Sequence, residues 1–110
     1  MILPNAEIAV IEFEKIRDYC LNHDHPRGKH KAKVFESVLG ITADNAAELM
    51  DEIFSRIQVA ECEAGESDEY GRRYTVDLEI KRGNRKAVVR TAWIVKRDEI
   101  QPRLTTCYVK

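Results

Sequence analysis

The stretch YGRRYTVDLEIKRGNRKAVVRTAWIVKR, residues 70–97, determines the architecture of this 110-residue chain. It contains two runs of alternating apolar and polar residues, and the Gly83-Asn84 pair between them is typical of a two-residue hairpin turn. Counting back from that turn pairs Ile80 with Ala87, Leu78 with Val89, Val76 with Thr91, and Tyr74 with Trp93. One face of the hairpin is therefore an apolar core face that has to be covered, whereas the other face carries charges and hydroxyl groups.

The first half of the chain supplies that cover. Apolar residues at helical spacing predict helices over residues 12–22, 29–39 and from about residue 43. Residues 102–110, PRLTTCYVK, predict a further strand, and the alternation in residues 6–11 predicts a short edge strand. The sequence therefore predicts an α+β fold, with N-terminal helices packed on one face of a C-terminal antiparallel sheet of three to five strands.

Composition places the chain among globular proteins. With 44% apolar and 34% charged residues, it is expected to form a single domain over residues 1–110. No apolar run is long enough to cross a membrane, and MILPNAEIAV lacks the basic and long apolar regions of a signal peptide, so we expect a cytoplasmic protein without membrane association. The three cysteines form no CxxC pair, which favours reduced, buried thiols, and no cofactor is expected.

Basic residues are concentrated in HPRGKHKA, residues 25–32, although the net charge of the chain is only -1. Lys29, His30 and Lys31 occupy the first turn of the second predicted helix, where the helix dipole favours negative charge. Free N–H groups after Gly28, together with these side chains, would bind a phosphate or a carboxylate. The alternative is a solvated face whose lysine stems cover apolar surface.

Three histidines and Cys20 lie within residues 20–30 and raise the question of a zinc site. Structural zinc sites use two close pairs of ligands separated by a longer spacer, a pattern that is absent here, so no metal site is predicted. His25, whose backbone is restricted by the following proline, and His30 are instead candidate proton acceptors beside the phosphate site. Each of them, taken alone, is better explained as a surface or hydrogen-bonded histidine with no functional role.

The polar face of the hairpin holds a second candidate group. The register puts Arg90 opposite Asp77, a cross-strand ion pair that is stabilising by itself. The same pair would hold the Arg90 guanidinium so that it faces a phosphate. In the last strand, alternation puts Thr106 and Tyr108 on one face, where their hydroxyl groups would act as donors.

Several of these segments carry a family resemblance. LPNAEIAV, LNHDHPRGKHKAKVFESVLGITADNAAEL, DEYGRRYTVD, VRTAWIV and PRLTTCYV resemble a bacterial family defined only as a domain of unknown function, and the resemblance spans nearly the whole chain. The block HPRGKHKA is also similar to segments of phage-borne and polymorphic-toxin nucleases of the barnase–EndoU–RelE type. In those nucleases, helices precede a curved antiparallel sheet, and RNA is cut on the open face of the sheet without a metal.

The nuclease resemblance implies a transesterification reaction. His30, or alternatively His25, would accept the 2′-hydroxyl proton as that oxygen attacks the adjacent phosphate. Thr106 or Tyr108 would orient or protonate the leaving oxygen. The products would be a cyclic phosphate and a 5′-hydroxyl group.

The resemblance also implies a phosphate site. Gly28, Lys29 and Lys31 would bind the phosphate, and Lys31 with Arg90, oriented by Asp77, would stabilise the pentacoordinate intermediate. This chain departs from the strongly basic composition of such toxins, so we expect few phosphate contacts.

Two classes of function are therefore open, and a zinc-stabilised domain is a third possibility only if metal copurifies with the protein. One is a toxin-type ribonuclease that acts on RNA and is restrained by a small cognate antitoxin or immunity-type protein. The other is a non-catalytic protein-binding module of a two-component, toxin–antitoxin-like pair, in which HPRGKHKA recognises an acidic partner.

Overall fold

The hairpin of residues 70–97 forms the centre of a four-stranded antiparallel sheet. In the computed structural model, which describes residues 1–110, the strands follow one another in sequence order. They are β1 (Cys62–Ser67), β2 (Gly71–Arg82), β3 (Arg85–Lys96) and β4 (Arg103–Val109). All four predicted cross-strand pairs, from Ile80 opposite Ala87 to Tyr74 opposite Trp93, are confirmed. Gly83 has a φ of 64°, the left-handed conformation that a two-residue hairpin turn requires.

All three predicted helices are present, and each combines two helix types. α1 is α-helical over Phe13–Lys15 and π-helical over Ile16–Cys20, α2 is α-helical over Lys29–Val34 and π-helical over Phe35–Leu39, and α3 begins with a 3-10 turn at Ala43–Asn45 and is α-helical over Ala46–Ile57. The predicted α+β fold, with helices before an antiparallel sheet, is therefore confirmed. None of these helices is long and apolar enough to cross a membrane.

The helices cover the apolar face of the sheet and enclose one core. Trp93 and Phe35 are its largest buried side chains, and Tyr74 is 6% exposed, so the prediction that Tyr74 and Trp93 are core residues is confirmed. Thr91 is the one buried polar side chain, and its hydroxyl donates to the Val76 carbonyl at 2.8 Å while accepting the Trp93 indole N–H at 2.8 Å. Both groups are satisfied, as burial demands.

Two local predictions differ from the structure. Residues 6–11 do not form an edge strand, because a 3-10 turn at Ala6–Ile8 follows the left-handed Asn5, and only Val10 makes an isolated bridge to Arg103. β1 was not predicted as a strand. Its sequence, CEAGES, has a glycine and two glutamates, residue types that are depleted in strands, and only Cys62 is buried. Pairing with β2, rather than intrinsic propensity, determines this element.

Gly28 brings the start of α2 against the end of α1. A Cβ atom built at Gly28 would lie 1.9 Å from the carbonyl oxygen of Tyr19, whereas the φ of −85° at Gly28 is accessible to any residue. The glycine is therefore required by the close approach of two backbone segments and not by an unusual backbone conformation.

We predict that Gly28→Ala lowers the free energy of unfolding by about 2 kcal/mol or more, because the added methyl group must push α1 and α2 apart. Gly65→Ala is the matched control, since its Cβ would meet the nearest atom at an ordinary 3.5 Å. Denaturant unfolding of both variants measures the difference. Equal stabilities for the two variants would contradict the proposed tight contact.

Candidate functional site

An open cavity of about 380 Å³ lies between the beginning of α2 and the end of β4. Its lining residues are His30, Lys31, Val34, Tyr108 and Val109. We call this cavity the α2–β4 cleft. α2 contributes an imidazole and an ammonium group, and β4 contributes a phenol, so the basic segment and the last strand meet at one place.

Lys31 is held in position by Tyr19 of α1. Its Nζ donates to the Tyr19 hydroxyl at 3.0 Å and lies 5.0 Å from the centre of the tyrosine ring. An ammonium group has three N–H donors, so two remain for a ligand in the cleft. Sequence reasoning did not identify Tyr19, because its partner is 12 residues further along the chain and no local pattern connects the two.

Arg90 is not a lining residue of the cleft; it lies on the open face of the sheet, in register with Tyr108. It is paired in register with Asp77 on β2 and with Tyr108 on β4. Its Nε and Nη2 donate to the two Asp77 carboxylate oxygens at 2.8 and 3.0 Å, the predicted ion pair. A guanidinium has five N–H donors, so three remain available, and the side chain is 31% exposed. The pKa of Arg90 is raised by Asp77 first and by the Tyr108 hydroxyl second, which indicates that Arg90 and Tyr108 are close neighbours.

Asp77 accepts hydrogen bonds from two cations. Besides Arg90, the Lys110 Nζ donates to its Oδ2 at 3.1 Å. The Arg90 hydrogen bonds, followed by the one from Lys110, lower the pKa of Asp77 to about 2 despite its partial desolvation. The carboxylate is therefore ionised throughout the neutral range and can orient Arg90, the role predicted for it.

His25 organises the loop before α2. Its Nδ1 accepts hydrogen bonds from the backbone N–H groups of Arg27 and Gly28, both at 3.0 Å, and its ring packs edge-on against Tyr19. Protonation at Nδ1 would break both bonds, so the structure gives this nitrogen a supporting role in the loop. His30 is the exposed histidine that lines the cleft.

We predicted that Gly28 and the N–H groups after it bind a phosphate; the Gly28 N–H itself donates to the His25 Nδ1. The next N–H, that of Lys29, donates to the His25 carbonyl at 3.0 Å. Neither group is therefore free for an anion. The Lys29 side chain is exposed and takes part in no ion pair.

A bulge in β4 changes the surroundings of its hydroxyl groups. Register shifts between Ala92 and Trp93, so that Thr106 opposes Ala92 and Thr105 is the extra residue, whose hydroxyl donates to the Ala92 carbonyl. The half-buried Thr106 hydroxyl lies 4.0 Å from the Cys20 thiol of α1. Of the two hydroxyl donors predicted for the site, Tyr108 is the one that lines the cleft.

The histidines and Cys20 do not converge. The His23 Nε2 lies 3.6 Å from a Glu36 carboxylate oxygen, Cys20 is buried near β4, and no three histidine, cysteine or acidic side chains are arranged to hold a metal ion. The three cysteines are free and buried, as predicted.

Asp77 makes stability depend on pH in a defined direction. Because its pKa in the folded protein, about 2, lies below the usual 3.8, ionised Asp77 stabilises the fold above pH 4, and this contribution disappears as the pH falls towards 2. We predict that the unfolding free energy difference between wild type and Asp77→Asn is largest near neutral pH and shrinks across this window. Asp51→Asn, at an exposed aspartate without an ion pair, is the control. An unfolding free energy difference that stays constant down to about pH 2 would contradict the stabilising role of ionised Asp77.

One solved structure has a similar fold at low sequence identity. It is a chain from the contact-dependent growth inhibition toxin–immunity protein complex of Klebsiella pneumoniae 342, with 15% identity and a TM-score of 0.68. The similarity covers 93% of the present chain and 100% of that chain. At this identity it shows a shared fold.

Sequence comparison identifies the family. No curated protein matches the chain. A family model described as "Domain of unknown function (DUF6883)" matches residues 2–110, which confirms the resemblance to a family defined only in those terms. Since the match covers all but the first residue, the protein belongs to the DUF6883 family of domains of unknown function.

Proposed function

We propose that the α2–β4 cleft is the active site of a small, metal-independent ribonuclease of the toxin type. The observation that carries this proposal is the meeting of His30, Lys31 and Tyr108 in one open cavity, with Arg90 in register beside Tyr108. A base, two cations and a hydroxyl group are the components that RNA transesterification needs.

His30 is the proposed general base. His30 is exposed at the cleft, so a ribose 2′-hydroxyl group can approach the imidazole. The imidazole would then accept the hydroxyl proton as the 2′-oxygen attacks phosphorus. His25 is less suited to this step, because its Nδ1 already accepts two backbone hydrogen bonds. We assign His25 to support of the loop that presents His30 and Lys31.

Lys31 and Arg90 are the proposed electrostatic stabilisers. Negative charge grows on the non-bridging oxygens as the pentacoordinate phosphate forms, and fixed donors stabilise it without reorganising. Tyr19 holds the Lys31 ammonium, and Asp77 holds two of the five Arg90 donors. Both cations are therefore preorganised and retain free N–H groups.

Tyr108 is the proposed group that orients or protonates the leaving 5′-oxygen, since it lines the cleft opposite His30 and next to Arg90. The Thr106 hydroxyl, beside Cys20, would act only from the margin of the site. Cleavage would leave a 2′,3′-cyclic phosphate on one fragment and a 5′-hydroxyl group on the other.

The charge distribution agrees with a site that contacts few phosphates. The chain has a net charge of -1, so its overall field does not attract RNA. The basic side chains near the cleft, including the unpaired Lys29, provide a local attraction. Binding would then depend less on salt than it does for strongly basic nucleases.

The fold comparison supports a protein partner. The solved structure with this fold comes from a complex of a growth-inhibition toxin and an immunity protein. We extend that pairing to this chain and propose a small cognate protein of the immunity or antitoxin type, because a ribonuclease active on cellular RNA must be restrained in the cell that makes it.

We predict that the purified protein cleaves a fluorescently labelled RNA oligonucleotide in the presence of EDTA and leaves a cyclic phosphate. His30→Ala and Arg90→Ala should each reduce kcat/KM by at least about 100-fold, the usual contribution of an acid–base or charge-stabilising group. Lys29→Ala removes an exposed, unpaired cation without touching the cleft lining and should change the rate only severalfold.

The same assay distinguishes the rival function. If the wild-type protein leaves RNA intact at high enzyme concentration, or if His30→Ala cleaves as fast as wild type, the cleft is not a ribonuclease site. The non-catalytic module of a two-component pair would then be the better description. Thermal unfolding of each variant shows that a loss of activity is not a loss of fold.

A further inference from the structure

The outer edges of the two end strands, β1 and β4, differ in how they are hydrogen-bonded and packed. Along the β4 edge, the Val10 N–H donates to the Pro102 carbonyl at 2.9 Å, the Leu104 N–H donates to the Val10 carbonyl at 3.0 Å, and α1 and α2 pack against the strand. The β1 edge is paired only at its start, where the Cys62 N–H donates to the Met1 carbonyl at 2.7 Å. The β4 edge is therefore paired at its start and packed by helices, whereas residues 63–67 of the β1 edge are exposed.

The open part of β1 presents unpaired backbone groups. Since the Cys62 N–H points away from β2, the alternation of an antiparallel pair turns the N–H and C=O of Ala64 in the same direction. No other segment of the chain bonds to this edge beyond Cys62, and residues 63–67 are all exposed. Regular pairing with β2 is interrupted by a bulge between Ala64 and Ser67, so the outward N–H and C=O of Ala64 are the groups that offer a template for another strand.

The side chains along this edge are acidic. Residues 61–69 contain five acids and no base. Glu61 pairs with the N-terminal ammonium and Asp68 with Arg73, whereas Glu63 and Glu66 have no ion pair. Glu63 also lines an open cavity of about 230 Å³ on the outer face of the sheet, together with Glu61, Thr75 and Asp77.

We propose that a partner protein adds an extended, lysine- or arginine-bearing strand to β1 along Glu63–Ser67. Backbone hydrogen bonds to Ala64 would supply the register, and a basic side chain on the outer face would pair with Glu63, which has no ion pair in the chain itself. Side chains on the opposite face, next to Ala64, would be small and uncharged. The partner is thus recognised by the unpaired backbone groups of β1 and by the acidic side chains beside them.

Charge disfavours a second copy of this chain as the added strand. Pairing β1 with another β1 would bring Glu63 and Glu66 of one copy close to the same acids of the other, and like charges opposite one another are destabilising. A basic strand meets no such repulsion.

This surface is separate from the α2–β4 cleft. β2 and β3 lie between β1 and β4, so a strand on β1 would leave the cleft uncovered. The inference therefore does not depend on ribonuclease activity.

The test uses a peptide of about ten residues that alternates threonine and lysine, with an alternating threonine–glutamate peptide as the reference. We expect the lysine peptide to bind preferentially and to protect the Ala64 amide from hydrogen exchange measured by NMR. Glu63→Lys should weaken this binding at least about tenfold, whereas Glu14→Lys, which changes an exposed glutamate of α1 and gives the same net charge, should change it less than about twofold. Ala64→Pro should abolish binding by removing the outward N–H, a change that an edge strand tolerates.

Three results would overturn the proposal. The lysine peptide could bind no better than the glutamate peptide, the protected amides could lie away from β1, or Ala64 could become protected with rising protein concentration in the absence of peptide. The last result would assign the edge to a second copy of the chain. In the first two cases the acids would only keep an exposed edge soluble.

Discussion

The close contact between Gly28 and the carbonyl of Tyr19 is the constraint on which the candidate site depends. With no side chain at Gly28, the start of α2 lies directly against the end of α1. Because of that proximity, the Lys31 ammonium donates to the Tyr19 hydroxyl. The His25 ring packs against Tyr19, and the His25 Nδ1 accepts a hydrogen bond from the Gly28 N–H. These contacts position the basic segment as one wall of the α2–β4 cleft.

Charge differs between the two edges of the sheet. On the β1–β2 side, Glu61, Glu63 and Asp77 border one open cavity. On the other side, His30 and Lys31 face β4, and Arg90 is bridged to the acidic side by Asp77. The net charge of -1 conceals this separation. The proposed anion site and the proposed partner-binding edge therefore lie at opposite edges of one small sheet.

Local sequence signals predicted most of the fold, because the Gly83-Asn84 turn and the period of two in the hairpin fix the register without outside information. The same counting paired Arg90 with Asp77. Counting residues along the sequence does not reveal non-local contacts. β1 forms because it pairs with β2, and the hydrogen bond from Lys31 to Tyr19 depends on how α1 packs against α2. The histidines illustrate the limit. Both side chains are imidazoles and could transfer protons. Only the structure shows that His25 accepts backbone hydrogen bonds within a loop, whereas His30 lines a cavity.

The proposed function requires that the start of α2 and the open side of β3 and β4 form one phosphate-binding site. NMR titration of isotope-labelled protein with uridine 3′-monophosphate tests it most directly, since it reports binding at individual side chains whether or not RNA is cut. If the three side chains share one phosphate site, resonances of the His30 imidazole, the Tyr108 ring and the Arg90 Nε–H shift together and saturate with a single dissociation constant. Shifts confined to exposed lysines, or saturation of His30 without any response from Arg90 and Tyr108, would contradict it.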